Sequence, residues 1–281
     1  MTATDRFIGT DSRSPFAGCV ILILAMLVMV FLVGFSTWGL FRQFNEIARF
    51  TSERAAPVPV APLLDREVEI NALAVKLEKF RQDLAAPGEA RLALSAQELN
   101  LAIAAYHPFK ELRQTFQVLA VEGDTLKIAI SFKLNGKPRL ATKDEPGIMA
   151  SDPRYLNAIL TAKPQLLGHE VVLQITDITV PNATVPREFI EQMSPYRITE
   201  RYQTNPVMGP VMAKLTSVET ANDTVILNHK PGETPADHIS NSQLDLASSR
   251  FFKTLAIGAC LFLTFVGLLV FIGLRARARK G

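Results

Sequence analysis

Residues able to do chemistry are sparse and scattered in this chain. The four histidines are His107, His169, His229 and His238, and no two of them stand four residues apart. No group of carboxylates and histidines has the spacing of metal ligands. The sequence also lacks the Gly-x-Ser-x-Gly elbow of a serine hydrolase and a Gly-rich phosphate loop. We therefore predict no catalytic residue, no metal site, no cofactor and no enzymatic activity.

The two cysteines, Cys19 and Cys260, both lie in long apolar runs. Cys19 follows Phe16-Ala17-Gly18, a pattern like that of a bacterial lipoprotein site, but in such a signal the apolar stretch precedes the cysteine. Here it follows, and residues 16–41 carry no charge. That run is longer than the core of a signal peptide, and about 20 residues suffice to cross a bilayer. We predict a retained transmembrane helix over 16–41, after a cytoplasmic tail over 1–15.

A second uncharged run, 254–274, predicts another transmembrane helix. It is followed by a basic tail over 275–281, and basic residues beside a span stay in the cytoplasm. The residues that set this topology are Arg275, Arg277, Arg279 and Lys280. The sequence therefore predicts a two-pass protein of the cell inner (plasma) membrane, with both termini cytoplasmic and the main domain extracytoplasmic.

The charge of the region between the runs excludes one class of partner. Seven of the 30 basic and two of the 27 acidic residues lie outside 42–250, which leaves 23 basic and 25 acidic residues inside it. A nucleic-acid-binding domain would carry a basic excess. We predict no nucleic-acid partner.

The hydrophobic periodicity and the turn residues divide the region between the two apolar runs into three parts. These are a membrane-proximal segment with a Pro-rich linker (42–64), an α+β domain (65–230) and a second linker (231–253). An apolar stripe predicts a first helix, which covers a sheet or forms a short coiled coil between copies: Ile70, Leu73, Leu77, Phe80 and Leu84. Ser95 and Glu98 form a capping box at the start of a second helix. Three hairpins turn near 122–124, 168–169 and 221–223. The first arm of the middle hairpin is compatible with a strand or with a short helix.

One strand alternates cleanly over 125–134. Its apolar face consists of Leu126, Ile128, Ile130, Phe132 and Leu134, and its other face includes Ser131 and Lys133. Such alternation is typical of a strand with one buried and one solvated face, so a charge at Ser131 should be tolerated. The apolar face is either ordinary core or the wall of a groove for a lipid or acyl chain.

The order of motifs over about residues 90–228 resembles the YpmS-like family of membrane-anchored extracytoplasmic bacterial proteins. The resemblance rests on "LSAQELN", "GHEVVLQI" and "ITVPNATVPREFI". It implies an α+β fold with a curved antiparallel sheet and packing helices, here flanked by two transmembrane helices where the family's usual members have one anchor. It brings no catalytic residue.

Two functions are compatible with these sequence features. The first is a non-catalytic membrane-anchored protein that binds lipid or acyl chains in envelope maintenance, with membrane lipids as partners. The second is an adaptor or assembly factor that docks another envelope protein. Pairing into a homo-oligomer is compatible with both.

Overall fold

The computed structural model describes residues 15–235, 260–262 and 264. The chain divides into two compact units, one made of Met1–Asn45 with Phe251–Gly281 and the other of Glu46–Arg250. The tail residues Arg275, Arg277, Arg279 and Lys280, and most of the predicted span 254–274, lie outside the described residues.

The first unit contains most of helix α1, Pro15–Phe50, which covers the first predicted span. Its described apolar side chains are largely exposed, Val30 and Trp38 among them. The ring of Phe31 lies 5.2 Å from the ring of Phe262, and the Thr264 hydroxyl donates to the carbonyl of Cys260 in its own helix. Counted over the described residues alone, no helix combines the length and the apolar character needed to cross a membrane.

The described part of the second unit has four further α-helices and eight strands. The helices are α2 (Glu67–Ala85), α3 (Ala96–Ala105), α4 (Arg187–Met193) and α5 (Met208–Met212). The strands are β1 (Ala90–Ser95), β2 (Phe116–Glu122), β3 (Thr125–Leu140), β4 (Met149–Leu167), β5 (Glu170–Val180), β6 (Ala183–Thr184), β7 (Ser217–Ala221) and β8 (Thr224–His229).

The predicted α+β class with antiparallel pairing is confirmed, but the strands form two sheets and not one. β2 to β6 pair in sequence order, whereas β1 joins the last hairpin in the order β1-β8-β7. Ala90 to Ser95 pair with Thr224 to His229, although the two segments lie far apart in sequence. The local alternation of apolar and polar residues predicts a strand but not which distant strand pairs with it. The second sheet was therefore not predicted.

The helix start at Ser95 and the hairpin turns lie where the local sequence motifs predicted them. Ser95 accepts from the Glu98 backbone N–H and Glu98 accepts from the Ser95 N–H, which confirms the capping box. The ambiguous arm of the middle hairpin is strand β4. α2 covers β1, because Leu73, Phe80 and Leu84 are buried in a cluster with Leu92 and Leu94.

A second apolar cluster fills one face of the five-stranded sheet. Ile128, Leu156 and Leu160 have no exposed surface, and Phe50 at the end of α1 packs edge-on against Phe189 of α4 with ring centroids 4.8 Å apart. The compact unit therefore begins before residue 65, because the end of α1 contributes to its core.

Candidate functional site: the β3–β4 ribbon

The structure does not bring the histidines together. His107 and His169 are exposed, in a 3-10 turn and a hairpin turn, and His229 contacts the carbonyl of Lys214. His238 lies outside the described residues. Within the described part of the chain, no group of three or more His, Cys, Asp or Glu is placed to hold a metal ion.

The buried carboxylate of Glu170 is fully engaged in pairing. Its oxygens accept from Nε and a terminal nitrogen of Arg197 and from the Gln203 amide, and its side chain is 7% exposed. The bidentate pair raises the pKa of Arg197. A carboxylate held this way acts as a structural group.

The apolar face of β3 is core along its first half. Leu126, Ile128 and Ile130 are at most 5% exposed and contact residues of β2, β4 and β5. Phe132 stacks on Tyr196 with ring centroids 5.3 Å apart, and Leu134 is partly buried. A recess with a cavity volume of about 10 Å³ is lined by other residues, including Val60, Asn100, Arg113 and Phe116. Drug-sized ligand sites occupy about 300–1,000 Å³, so this recess is too small for an acyl chain.

The opposite face of β3 is covered at Ser131, where the sequence predicted a solvated position. Ser131 is 4% exposed, and its hydroxyl donates to Oδ1 of Asn157 at 2.7 Å. The Asn157 amide donates to Ser52 and to the Arg54 carbonyl, and Oδ1 also accepts from the Ala56 N–H. The chain that follows α1 thus lies over this face. The prediction that Ser131 faces solvent is wrong, because a segment assigned to a linker covers it.

Arg154 of β4 joins the sheet to the last turn of α1. Its guanidinium donates to the carbonyls of Ala48 and Thr51 and to the Thr51 hydroxyl, and it lies 3.4 Å from a carboxylate oxygen of Glu53. Ser52 and Tyr155 exchange two backbone hydrogen bonds beside it, at 2.9 and 2.7 Å. Cations stabilise the C-terminal end of a helix, where carbonyls lack partners. We call this set of contacts the Arg154 clamp.

Beyond the clamp, β3 and β4 continue as a two-stranded ribbon, which we define as residues 133–154. One extra residue on β3 interrupts its pairing between Asn135 and Pro138. This bulge stands opposite Asp152, next to Pro153, which has no N–H to donate to the ladder. A Cβ added to Gly136 in the bulge would lie 2.5 Å from the Asp152 carbonyl oxygen and 2.7 Å from Cγ of Arg154.

The tip of the ribbon, residues 140–149, is ordered by ion pairs. Arg139 makes two hydrogen bonds of 2.6 Å to Glu145 and one of 2.7 Å to Asp152. Glu145 also accepts from the N–H and the hydroxyl of Thr142. The loop is therefore tied back onto its own strands.

The ordered tip exposes its apolar side chains. Leu140 is 72%, Ile148 83% and Met149 60% exposed. Lys137 and Lys143 of the same ribbon are exposed as well. This juxtaposition of exposed apolar and basic side chains was not predicted. The signal for it was Ile148-Met149 directly after Pro146-Gly147, an apolar pair inside a turn.

The ion pairs of the tip make it resistant to acid. The hydrogen bonds from Arg139, and then those from Thr142, lower the pKa of Glu145 to about 2. A carboxyl with a lowered pKa in the folded state stabilises that state at high pH. This contribution is complete above about pH 4.5, the ordinary value for Glu, and is lost as the pH falls through 2.

We expect the Glu145 carboxyl carbon to titrate near pH 2 in a ¹³C NMR experiment on the chain in detergent. The matched variant Arg139→Gln should return the pKa of Glu145 towards its ordinary value. A midpoint near 4.5 in the unsubstituted chain would show that the tip is not held by these pairs.

No family model, curated protein or solved structure matches this chain.

Proposed function

We propose that this chain is a non-catalytic, membrane-anchored protein whose folded unit contacts lipid at the bilayer surface through the tip of the ribbon. The exposure of Leu140, Ile148 and Met149 on an ordered loop supports this proposal. Three large apolar side chains this exposed on one loop are unusual for a surface that meets only water.

The charge of the ribbon favours a membrane surface as the partner that its tip contacts. Residues 133–154 include five basic and three acidic side chains. Three of the acidic and basic groups, Arg139, Glu145 and Asp152, pair with one another. Arg154 belongs to the clamp, so three exposed basic residues, Lys133, Lys137 and Lys143, remain against one acidic residue, Asp144. Basic residues near an anionic surface contribute about 1 kcal/mol each.

The free energy gained by inserting the tip into lipid shows why the protein needs a membrane anchor. Burying one large apolar side chain contributes about 1.5–3 kcal/mol, so three of them reach about the 8 kcal/mol of a micromolar complex only when fully buried. Partial insertion alone would be weak. A tether raises the local concentration and makes weak contacts effective.

The proposed function includes two transmembrane anchors. The uncharged runs 16–41 and 254–274 and the basic tail from Arg275 support two passes, cytoplasmic termini and a location in the cell inner (plasma) membrane. The motif order over 90–228 supports membership of the YpmS-like family and a curved sheet.

The depth of the tip in a bilayer tests the proposed contact. The full chain with Cys19→Ala and Cys260→Ala is reconstituted in nanodiscs of zwitterionic and anionic phospholipid and spin-labelled at Ile148→Cys. The label should collide with oxygen more often than with a water-soluble nickel chelate. Val207→Cys is the matched control, since Val207 is 65% exposed on another part of the unit, and its label should prefer the chelate.

Equal preference for the chelate at positions 148 and 207 would reject lipid contact. The exposed tip would then favour the second function, docking of another envelope protein. The topology is tested with a reporter that functions only in the cytoplasm, inserted at Glu233. Activity of this insertion would contradict the predicted topology.

A further inference from the structure

Met149 is the one apolar side chain of the ribbon tip that a mild oxidant can make polar. Its thioether takes up a single oxygen atom and becomes a sulfoxide. The hydrocarbon side chains of Leu140 and Ile148 have no group that reacts in this way. Met149 is 60% exposed, so a small oxidant dissolved in water reaches its sulfur.

The other methionines of the folded unit are less accessible than Met149. Within the described part of that unit, Met193 and Met208 are half-buried, and Met212 is 5% exposed. The reagent must reach the sulfur before it can react. Oxidation of the folded unit is therefore expected to begin at Met149.

We propose that oxidation of Met149 releases the tip from lipid, which puts the membrane contact under redox control. This inference rests on the proposed contact of the tip with lipid. Hydrogen peroxide transfers one oxygen atom to the sulfur as its O–O bond breaks and an S–O bond forms. The proton on the transferred oxygen moves to the other oxygen, which leaves as water. The sulfur loses two electrons, and the peroxide gains them.

The structure separates the exposed apolar pair from the contacts that order the tip. Met149 stands directly opposite Leu140 in the last pair of the β3–β4 ladder, so the two side chains share one face of the ribbon. Arg139, whose ion pairs order the tip, stands opposite Ala150 and therefore lies on the other face. A sulfoxide at Met149 should thus weaken the lipid contact and leave the tip ordered.

The spin label at Ile148→Cys measures the release in nanodiscs that hold the full chain with Cys19→Ala and Cys260→Ala. Peroxide is added, and peptide mass spectrometry follows the conversion of Met149. The ratio of embedded to exposed label should fall at least about tenfold, because burial of one large apolar side chain accounts for a factor of that size. The two methionine sulfoxide reductases, one for each sulfoxide epimer, should restore the ratio.

Met149→Leu is the matched control, because leucine has a similar volume and no sulfur. Peroxide should not change the label ratio of this variant from its own untreated value. An unchanged ratio after full conversion of Met149 would overturn the inference, and so would equal release in the Met149→Leu variant. A label that is exposed before peroxide is added would reject the lipid contact itself, so the two proposals fail by different results.

Discussion

Replacing Ile130 with aspartate is expected to lower the free energy of unfolding by several kcal/mol. Ile130 is 3% exposed and lies in the core of the five-stranded sheet, opposite Phe116 on β2 and Ala158 on β4. A carboxylate there has no partner and loses its hydration. A domain of this size is stable by about 5–15 kcal/mol, so most of the stability is at risk.

Ser131→Asp should be costly as well, although Ser131 points to the other face. The new carboxylate would replace a buried hydroxyl that donates to Oδ1 of Asn157, and two acceptors would then face each other. Leaving buried polar groups unsatisfied costs about 1–3 kcal/mol, and more for charged groups. The hydrogen bonds of Asn157 to Ser52 and Arg54 would be disturbed too.

Lys133→Asp is the matched control on the same face of the same strand. Its side chain is exposed, so the change should stay within about 0.5 kcal/mol. Chemical denaturation of the full chain in detergent, followed by near-ultraviolet circular dichroism, measures all three variants. Equal stability of Ser131→Asp and Lys133→Asp would mean that the segment after α1 does not cover the sheet.

Gly136→Ala is expected to cost about 1–3 kcal/mol, the range for overpacking a filled site. The added methyl would meet the Asp152 carbonyl at 2.5 Å and Cγ of Arg154 at 2.7 Å, and the carbonyl belongs to the backbone. Either the bulge must open or Arg154 must shift. We therefore expect faster amide hydrogen exchange at Ser52 and Tyr155, which pair beside the clamp.

Gly88→Ala is the control for this change. Among the described residues other than its chain neighbours, no atom lies within 4 Å of the position that its Cβ would take. The substitution should therefore be neutral or slightly stabilising. Similar unfolding curves for the two variants would contradict the close approach at the bulge.

The elements that were predicted correctly carry local signals. Ser95 and Glu98 cap a helix by contacts within one turn, and the alternation from Leu126 to Ile130 marks a buried face within one strand. Both depend on neighbours in sequence, so the sequence alone reveals them.

The features that were missed depend on contacts between distant segments. The burial of Ser131 arises from residues 52–56, and the second sheet arises from pairing of β1 with β8. The ribbon tip was missed for another reason. Its apolar residues are exposed, and the pattern rules assign apolar residues to the interior.

The Arg154 clamp has a mechanical consequence. Tension on the chain at Thr51–Glu53 enters the sheet at Arg154 and Tyr155, in the strand that pairs with both β3 and β5. The segment around Ser52 runs antiparallel to β4, so a pull along it loads the neighbouring backbone hydrogen bonds in shear. Bonds loaded in shear share the force, whereas bonds that are peeled apart break in turn. Because the load enters at one end of the ribbon, the loop between Leu140 and Met149 stays free of it.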